Sequence, residues 1–125
     1  MPRVHQAYSD FRATISYNDE EIKVSNNLFF PLSMFPKRYD FSLRIERIDD
    51  IDAYRSGWDP VLRLSFFDKN GDRYVLTSRM KGWESLMPHL EKSFKGIRMD
   101  VIEELMEPDV VALCWHRQEP LDDGD

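Results

Sequence analysis

The stretch LRLSFFDKNGDRYVL, residues 62–76, decides how this chain folds. Its centre, Asp68-Lys69-Asn70-Gly71-Asp72, reads equally as the front half of a calcium loop and as the turn of a β-hairpin. For calcium, Asp68, Asn70 and Asp72 stand at loop positions 1, 3 and 5. The sixth position needs a glycine for its sharp turn and holds Arg73; the twelfth needs a bidentate carboxylate and holds Arg79. The flanks alternate apolar and polar, which is the period of strands and not of helices. The hairpin is therefore expected, in one of two registers. A two-residue turn on Asn70-Gly71 would scatter the apolar residues over both faces. A three-residue loop, 69–71 with Gly71 left-handed, puts Leu62, Leu64, Phe66, Tyr74 and Leu76 on one face and Arg63, Ser65, Phe67, Arg73, Val75 and Thr77 on the other. It opposes Asp68 to Asp72 at a cost of at most about 1 kcal/mol. Burial of each large side chain returns about 1.5–3 kcal/mol, so the three-residue loop is expected.

Working outward, residues 10–18 alternate as a half-buried strand with Phe11, Ala13, Ile15 and Tyr17 on one side. A polar turn at 18–21 and a short strand around Ile22 and Val24 complete a first hairpin. LFFPLSMFPKR, residues 28–38, holds Pro31 and Pro36 and reads as an edge strand or a lid over one end of the core. Residues 39–46 alternate again, and the strand is expected to end in the acidic stretch 48–52, followed by a loop through Gly57 and Pro60. Past the central hairpin, Trp83, Leu86, Met87, Leu90 and Phe94 fall on one helix face. Ser78 is a candidate cap, Pro88 a kink or restart, and Lys95-Gly96 the stop. A second short helix is expected from Asp100, where Asp100 and Glu103 have capping-box spacing, to Pro108. VVALCWH, residues 110–116, reads as a last, well-buried strand.

The chain of 125 residues is 42% hydrophobic, enough core for one domain without metal or disulfide. A domain over 1–117 with an acidic, disordered tail at 118–125 is expected. A single cysteine, Cys114, fits a reducing compartment, and the N-terminus lacks the apolar run of a signal peptide. No segment has the length of a membrane span. The chain is read as cytoplasmic, with no membrane span or peripheral membrane contact. The net charge of −6 is unevenly placed: residues 99–125 carry one basic and nine acidic side chains, while residues 37–98 carry thirteen and ten.

No catalytic set, cofactor motif or metal site assembles in the sequence. Asp49, Asp50 and Asp52 lack a histidine or glutamate at ligand spacing and read as solvating an edge or loop. Cys114 sits in an apolar run and reads as an inert buried thiol. The candidate partner surface has three parts: Arg63, Arg73, Arg79 and Lys81 around the hairpin and the helix start, where an anion could sit; Phe29, Phe30 and Phe35; and the acids Glu103, Glu104 and Glu107. The positive patch lacks interleaved aromatics, so nucleic acid is not expected.

The pieces DFSLRIERIDDIDAY, LRLSFFDKNGDRYVL and WESLMPHLEKSF, in that order, resemble the late strands and closing helix of bacterial pleckstrin-homology-like domains. The resemblance spans about two-thirds of the chain and rests on pattern and order, without a diagnostic motif. It implies a non-catalytic scaffold for peptides, proteins or, in some branches, phosphoinositides, and it transfers no site residue. Two features depart from it: too few strands before the helix, and a helix and strand after it. The expected fold is α+β, a bent antiparallel sheet or partly open barrel closed by the 83–94 helix. The expected function is a non-enzymatic protein or peptide interaction module, with homo-oligomerisation compatible. The alternative is an acidic immunity or antitoxin-type protein that meets a basic toxin through its C-terminal acids.

Overall fold

The computed structural model describes residues 2–7, 10–26, 40–55, 61–103 and 110–117. It is an α+β fold with two sheets rather than one bent sheet. β2 (Ala13–Tyr17), β3 (Glu21–Asn26) and β4 (Phe41–Arg44) form a three-stranded antiparallel sheet in the order β2-β3-β4. β5 (Ile48–Arg55), β6 (Leu62–Asp68), β7 (Arg73–Thr77), β8 (Val111–His116) and the short β1 (Val4–His5) form the second sheet, in the order β1-β7-β6-β5-β8. That sheet is mixed, because β1 runs parallel to β7. Two helices, α1 (Trp83–Ser93) and α2 (Met99–Glu103), lie between β7 and β8 in the chain.

The central hairpin has the expected register. Phe66 faces Tyr74 and Leu64 faces Leu76; Gly71 has φ +85°, and the Gly71 N–H donates to the Asp68 carbonyl at 2.9 Å. Leu64, Phe66 and Leu76 are fully buried, with Leu62 and Tyr74 packed against the same core. The opposed aspartates are each satisfied, not merely screened by solvent. Asp68 is buried; its Oδ1 accepts the N–H groups of Asn70 (2.8 Å) and Asp72 (3.0 Å), and its Oδ2 accepts the Tyr74 hydroxyl at 3.1 Å. Burial first, and then the Asp68 carboxylate, push the Tyr74 hydroxyl up to about 12. Asp72 accepts the Arg3 N–H at 3.0 Å and faces His5 Nε2 at 3.4 Å, which ties β1 to the turn. Asp68 thus closes the loop by local side-chain bonds to backbone N–H groups, and its carboxylate is spent on the turn.

Several expectations are corrected. The first strand starts at Ala13, because Asp10–Arg12 is a 3-10 turn that leaves Phe11 66% exposed. The strand beginning at Phe41 ends at Arg44, and Ile45–Arg47 is again a 3-10 turn. The acidic stretch 48–52 does not end a strand: it opens β5, eight residues long, which lies between β6 and β8. A register shift between Ile48 and Asp50 lets Ile48, Ile51 and Ala53 all reach the core, so the stretch does not alternate cleanly. β8 exists, but it is a sheet edge and not a well-buried strand: of its side chains Cys114 alone is buried, while Val111 and Leu113 are 61% and 59% exposed. The stretch 28–38, the loop at 56–60 and the residues from 104 to 109 lie outside the described residues, as does the tail at 118–125.

α1 runs unbroken through Pro88, so of the kink or restart expected there the restart does not occur. Pro88 is exposed, so the Glu84 carbonyl left without its helical donor can turn to water. Leu86, Leu90 and Phe94 are buried, and Trp83 and Met87 pack against the core as the periodicity expects. Ser78 does not cap the helix; its Oγ accepts the Leu62 N–H at 3.1 Å. The cap position is Gly82, at φ +95°. Here the chain passes close to the other sheet: the Ile15 N–H donates to the Lys81 carbonyl (2.8 Å) and the Lys81 N–H to the Ala13 carbonyl (3.0 Å). The edge of β2 is thereby covered, and the two sheets are joined through backbone. α2 begins at Met99 rather than at Asp100, and the Asp100 carboxylate is held by the Arg98 guanidinium at 3.0 and 2.8 Å.

Candidate functional site

The five-stranded sheet turns one face to the core and one outward. Register places Tyr54 beside Arg63 and Val111, Asp52 beside Ser65 and Leu113, and Asp50 beside Phe67 and His116. Arg73 and Val75 continue these rows on β7. The outward face therefore carries two acids of β5 next to two arginines of the hairpin. Arg73 Nε donates to Ser65 Oγ at 2.9 Å. Asp52 is pushed above its usual range, first by burial and then by the neighbouring Asp50 charge, with Arg73 opposing both. The N-terminal arm crosses one end of this face, where Asp10 Oδ2 accepts the Thr77 hydroxyl at 2.9 Å. Ser65, Val75 and Thr77 are buried on the side expected to be open.

The rim at β8 is different in character. Val110, Val111 and Leu113 are exposed, and residues 110–115 carry no charge. Cys114 is the extra residue where the pairing with β5 shifts, and its carbonyl accepts the Arg98 N–H at 2.8 Å. Beside this edge, between β8 and the α1–α2 connection, runs a groove of about 700 Å³ lined by Ser93, Lys95, Arg98, Leu113 and Trp115 among others. Trp115 is part of its lining: Nε1 donates to the Lys95 carbonyl at 3.0 Å, its ring meets Phe94 edge-on at 4.9 Å, and the Arg117 guanidinium lies 5.1 Å over it.

Of the arginines read from the sequence, Arg63 and Arg73 share the outward face, and Arg63 and Arg79 line one concavity with Asp10, Phe11 and Thr77. That concavity is built from the N-terminal arm and β7, not from the helix start. Lys81 is exposed, and its backbone is drawn to β2. Glu103 is exposed at the end of α2. Phe29, Phe30, Phe35, Glu104 and Glu107 lie outside the described residues. The groove and the outward face were missed in the sequence, since both depend on which strand neighbours β5.

The groups with catalytic chemistry are engaged in ways that limit them. Asp50 pairs with His116 Nδ1, and Asp49 lies 3.6 Å from Arg117. Among the described residues no three histidine, cysteine or acidic side chains gather as a metal site. Burial, then the Asp52 charge, push the Cys114 thiol up to about 11, which holds it as the neutral, unreactive form. Ser93 Oγ lies 3.2 Å from His89 Nε2, a spacing that suits a nucleophile and its base. The same Nε2 lies 2.8 Å from the Asn18 carbonyl, which can only accept. Nε2 therefore carries the proton and cannot take one from Ser93.

Comparison with protein-family models, curated proteins and solved structures finds no match to the chain. No helix among the described residues is long and apolar enough to cross a membrane.

Proposed function

We propose that this chain is a non-enzymatic module that binds a protein or peptide partner along the β8 edge. One observation carries the reading: β8 and the residue before it expose Val110, Val111 and Leu113 beside a groove lined by Trp115 and by Lys95, Arg98 and Arg117. Native sheet edges are usually blunted by charge or proline; among the described residues this one shows a register shift and one backbone bond from Arg98. An extended segment could add to such an edge and seat a side chain against Trp115. The pleckstrin-homology-like scaffold belongs to the same proposal. Seven strands precede α1 among the described residues, a count that supports it; α2 and β8, after that helix, depart from it.

The test is affinity capture with the full chain, identification and purification of what binds, and repetition with Leu113→Glu. Leu113 is exposed, so the variant should fold normally. The expected result is one partner that binds wild type at physiological salt and the variant at least about tenfold more weakly, as a charge forced into an apolar seat requires. A blank at low and high salt, or equal binding by the variant, refutes the proposal. A strongly basic partner that ignores Leu113→Glu would instead favour the immunity-type reading.

A further inference from the structure

We infer that the concavity between the N-terminal arm and the β6–β7 hairpin is a binding site for an oxyanion carried on a ring, an aryl phosphate or aryl carboxylate. The concavity holds about 340 Å³ and is walled by Gln6, Asp10, Phe11, Arg63, Thr77 and Arg79. That volume stands at the small end of ligand pockets, of the order of 300–1,000 Å³. It suits a small anion with one ring. The site lies apart from the β8 groove and does not depend on the function proposed there.

A chain of net charge −6 repels anions at long range and concentrates them only where cations cluster. Arg63 and Arg79 both line this concavity, and a guanidinium is the side chain that holds phosphate or carboxylate through two parallel hydrogen bonds. Both are placed by the hairpin. Arg63 sits on β6 directly opposite Thr77. Arg79 follows two residues later, in a turn whose Arg79 N–H points at Thr77 Oγ1 at 3.4 Å. A site on a paired hairpin is held more precisely than one on a free loop.

Phe11 supplies the surface for the ring. The 3-10 turn leaves it 66% exposed on the wall of the concavity, with the Arg12 guanidinium 5.5 Å from its centroid. An aromatic so exposed beside cations offers a face on which a ligand ring can pack. Asp10 is the carboxylate of the lining and opposes an anion, which gives the site a lever that acts in the reverse direction from damage. Neutralising Asp10 should strengthen binding, whereas a disrupted fold can only weaken it. Asn at this position still offers an oxygen to the Thr77 hydroxyl.

The experiment follows backbone amide shifts of the full, isotopically labelled chain at neutral pH while inorganic phosphate, phenyl phosphate or benzoate is added. Saturable shifts are expected at residues 10–12, 63 and 77–80, with phenyl phosphate binding several-fold tighter than phosphate. The double variant Arg63→Gln with Arg79→Gln should weaken both by about tenfold or more. Phe11→Ala should remove the advantage of phenyl phosphate and leave inorganic phosphate unchanged. Asp10→Asn should tighten all three ligands. Benzoate assigns the oxyanion: saturation by either ring-borne anion supports the site. No saturable shift with either, the same affinity in the double arginine variant, or weaker binding in Asp10→Asn overturns it.

Discussion

Gly82→Ala probes the joint between the two sheets. Gly82 stands at φ +95°, where an L side chain costs about 1–2 kcal/mol. An added Cβ would also lie 2.6 Å from the Ile15 carbonyl oxygen. That oxygen belongs to β2, paired with β3 on one side and tied to Lys81 by two backbone bonds on the other. The clash cannot be relieved by turning a side chain. Relief means moving the backbone and weakening those two bonds, at about 1 kcal/mol each. Against this, alanine narrows the unfolded ensemble and returns about 0.4–1 kcal/mol. The net loss is about 3 kcal/mol, a large part of the 5–15 kcal/mol typical of a domain. The assay is urea unfolding followed by tryptophan fluorescence. With a slope of about 1.5 kcal/mol per molar, the midpoint should fall by about 2 M. Gly96→Ala is the control. Gly96 has φ +88°, yet its Cβ would meet nothing within 4 Å. It should lose only the conformational cost, about 1 kcal/mol. If Gly82→Ala costs no more than Gly96→Ala, the close approach of residue 82 to β2 is wrong.

Pro88→Ala should stabilise the chain by about 1–2 kcal/mol in the same assay, since an exposed proline within a helix forfeits one backbone bond; a lowered midpoint would count against the unbroken α1. Asp72 is held below the usual carboxylate range, first by the Arg3 N–H and then by His5. A depressed folded value adds stability above the unfolded value, near about pH 4, and that stability is lost as pH falls through the folded value. Asp72→Asn should therefore flatten the acid side of the stability profile; an unchanged slope below about pH 4 contradicts the tie between β1 and the turn. Asp52 has the opposite sign, its folded value lying above the unfolded one. Its ionised form opposes folding, so Asp52→Asn should raise the urea midpoint at neutral pH, with the gain shrinking as pH falls through the carboxylate range. Cys114, pushed up to about 11, should resist thiol reagents at about pH 8, where only about a thousandth of it is thiolate, until urea unfolds the chain. Labelling at the rate of a free thiol in the native protein would contradict its burial.

Legibility followed locality. The hairpin register, the left-handed Gly71 and the apolar face of α1 could be read because neighbours in sequence settle them. β5 was read short because its acids suggested a loop. Asp50 and Asp52 in fact face outward, and the shift at Ile48–Asp50 hides the three-residue step from Ile48 to Ile51 from a search for period two. β1 was missed because two residues carry no period. The arginines were legible as a group, but not which of them meet: Arg63 and Arg79 share a concavity only because the N-terminal arm crosses above Thr77.

The stretch from Leu62 to Thr77 was decided by the sequence itself. One glycine able to adopt positive φ, one aspartate able to close the loop, and two strands whose apolar residues segregate in a single register leave no competing arrangement. VVALCWH is the contrary case. Its composition determined a strand, but whether that strand lies within a sheet or at its rim depends on what stands on its far side. Pairing with β5 is long-range, and burial follows from the neighbour and not from the segment. Val110, Val111 and Leu113, which would fill a core, therefore stand in solvent, and only the tertiary structure could place them there.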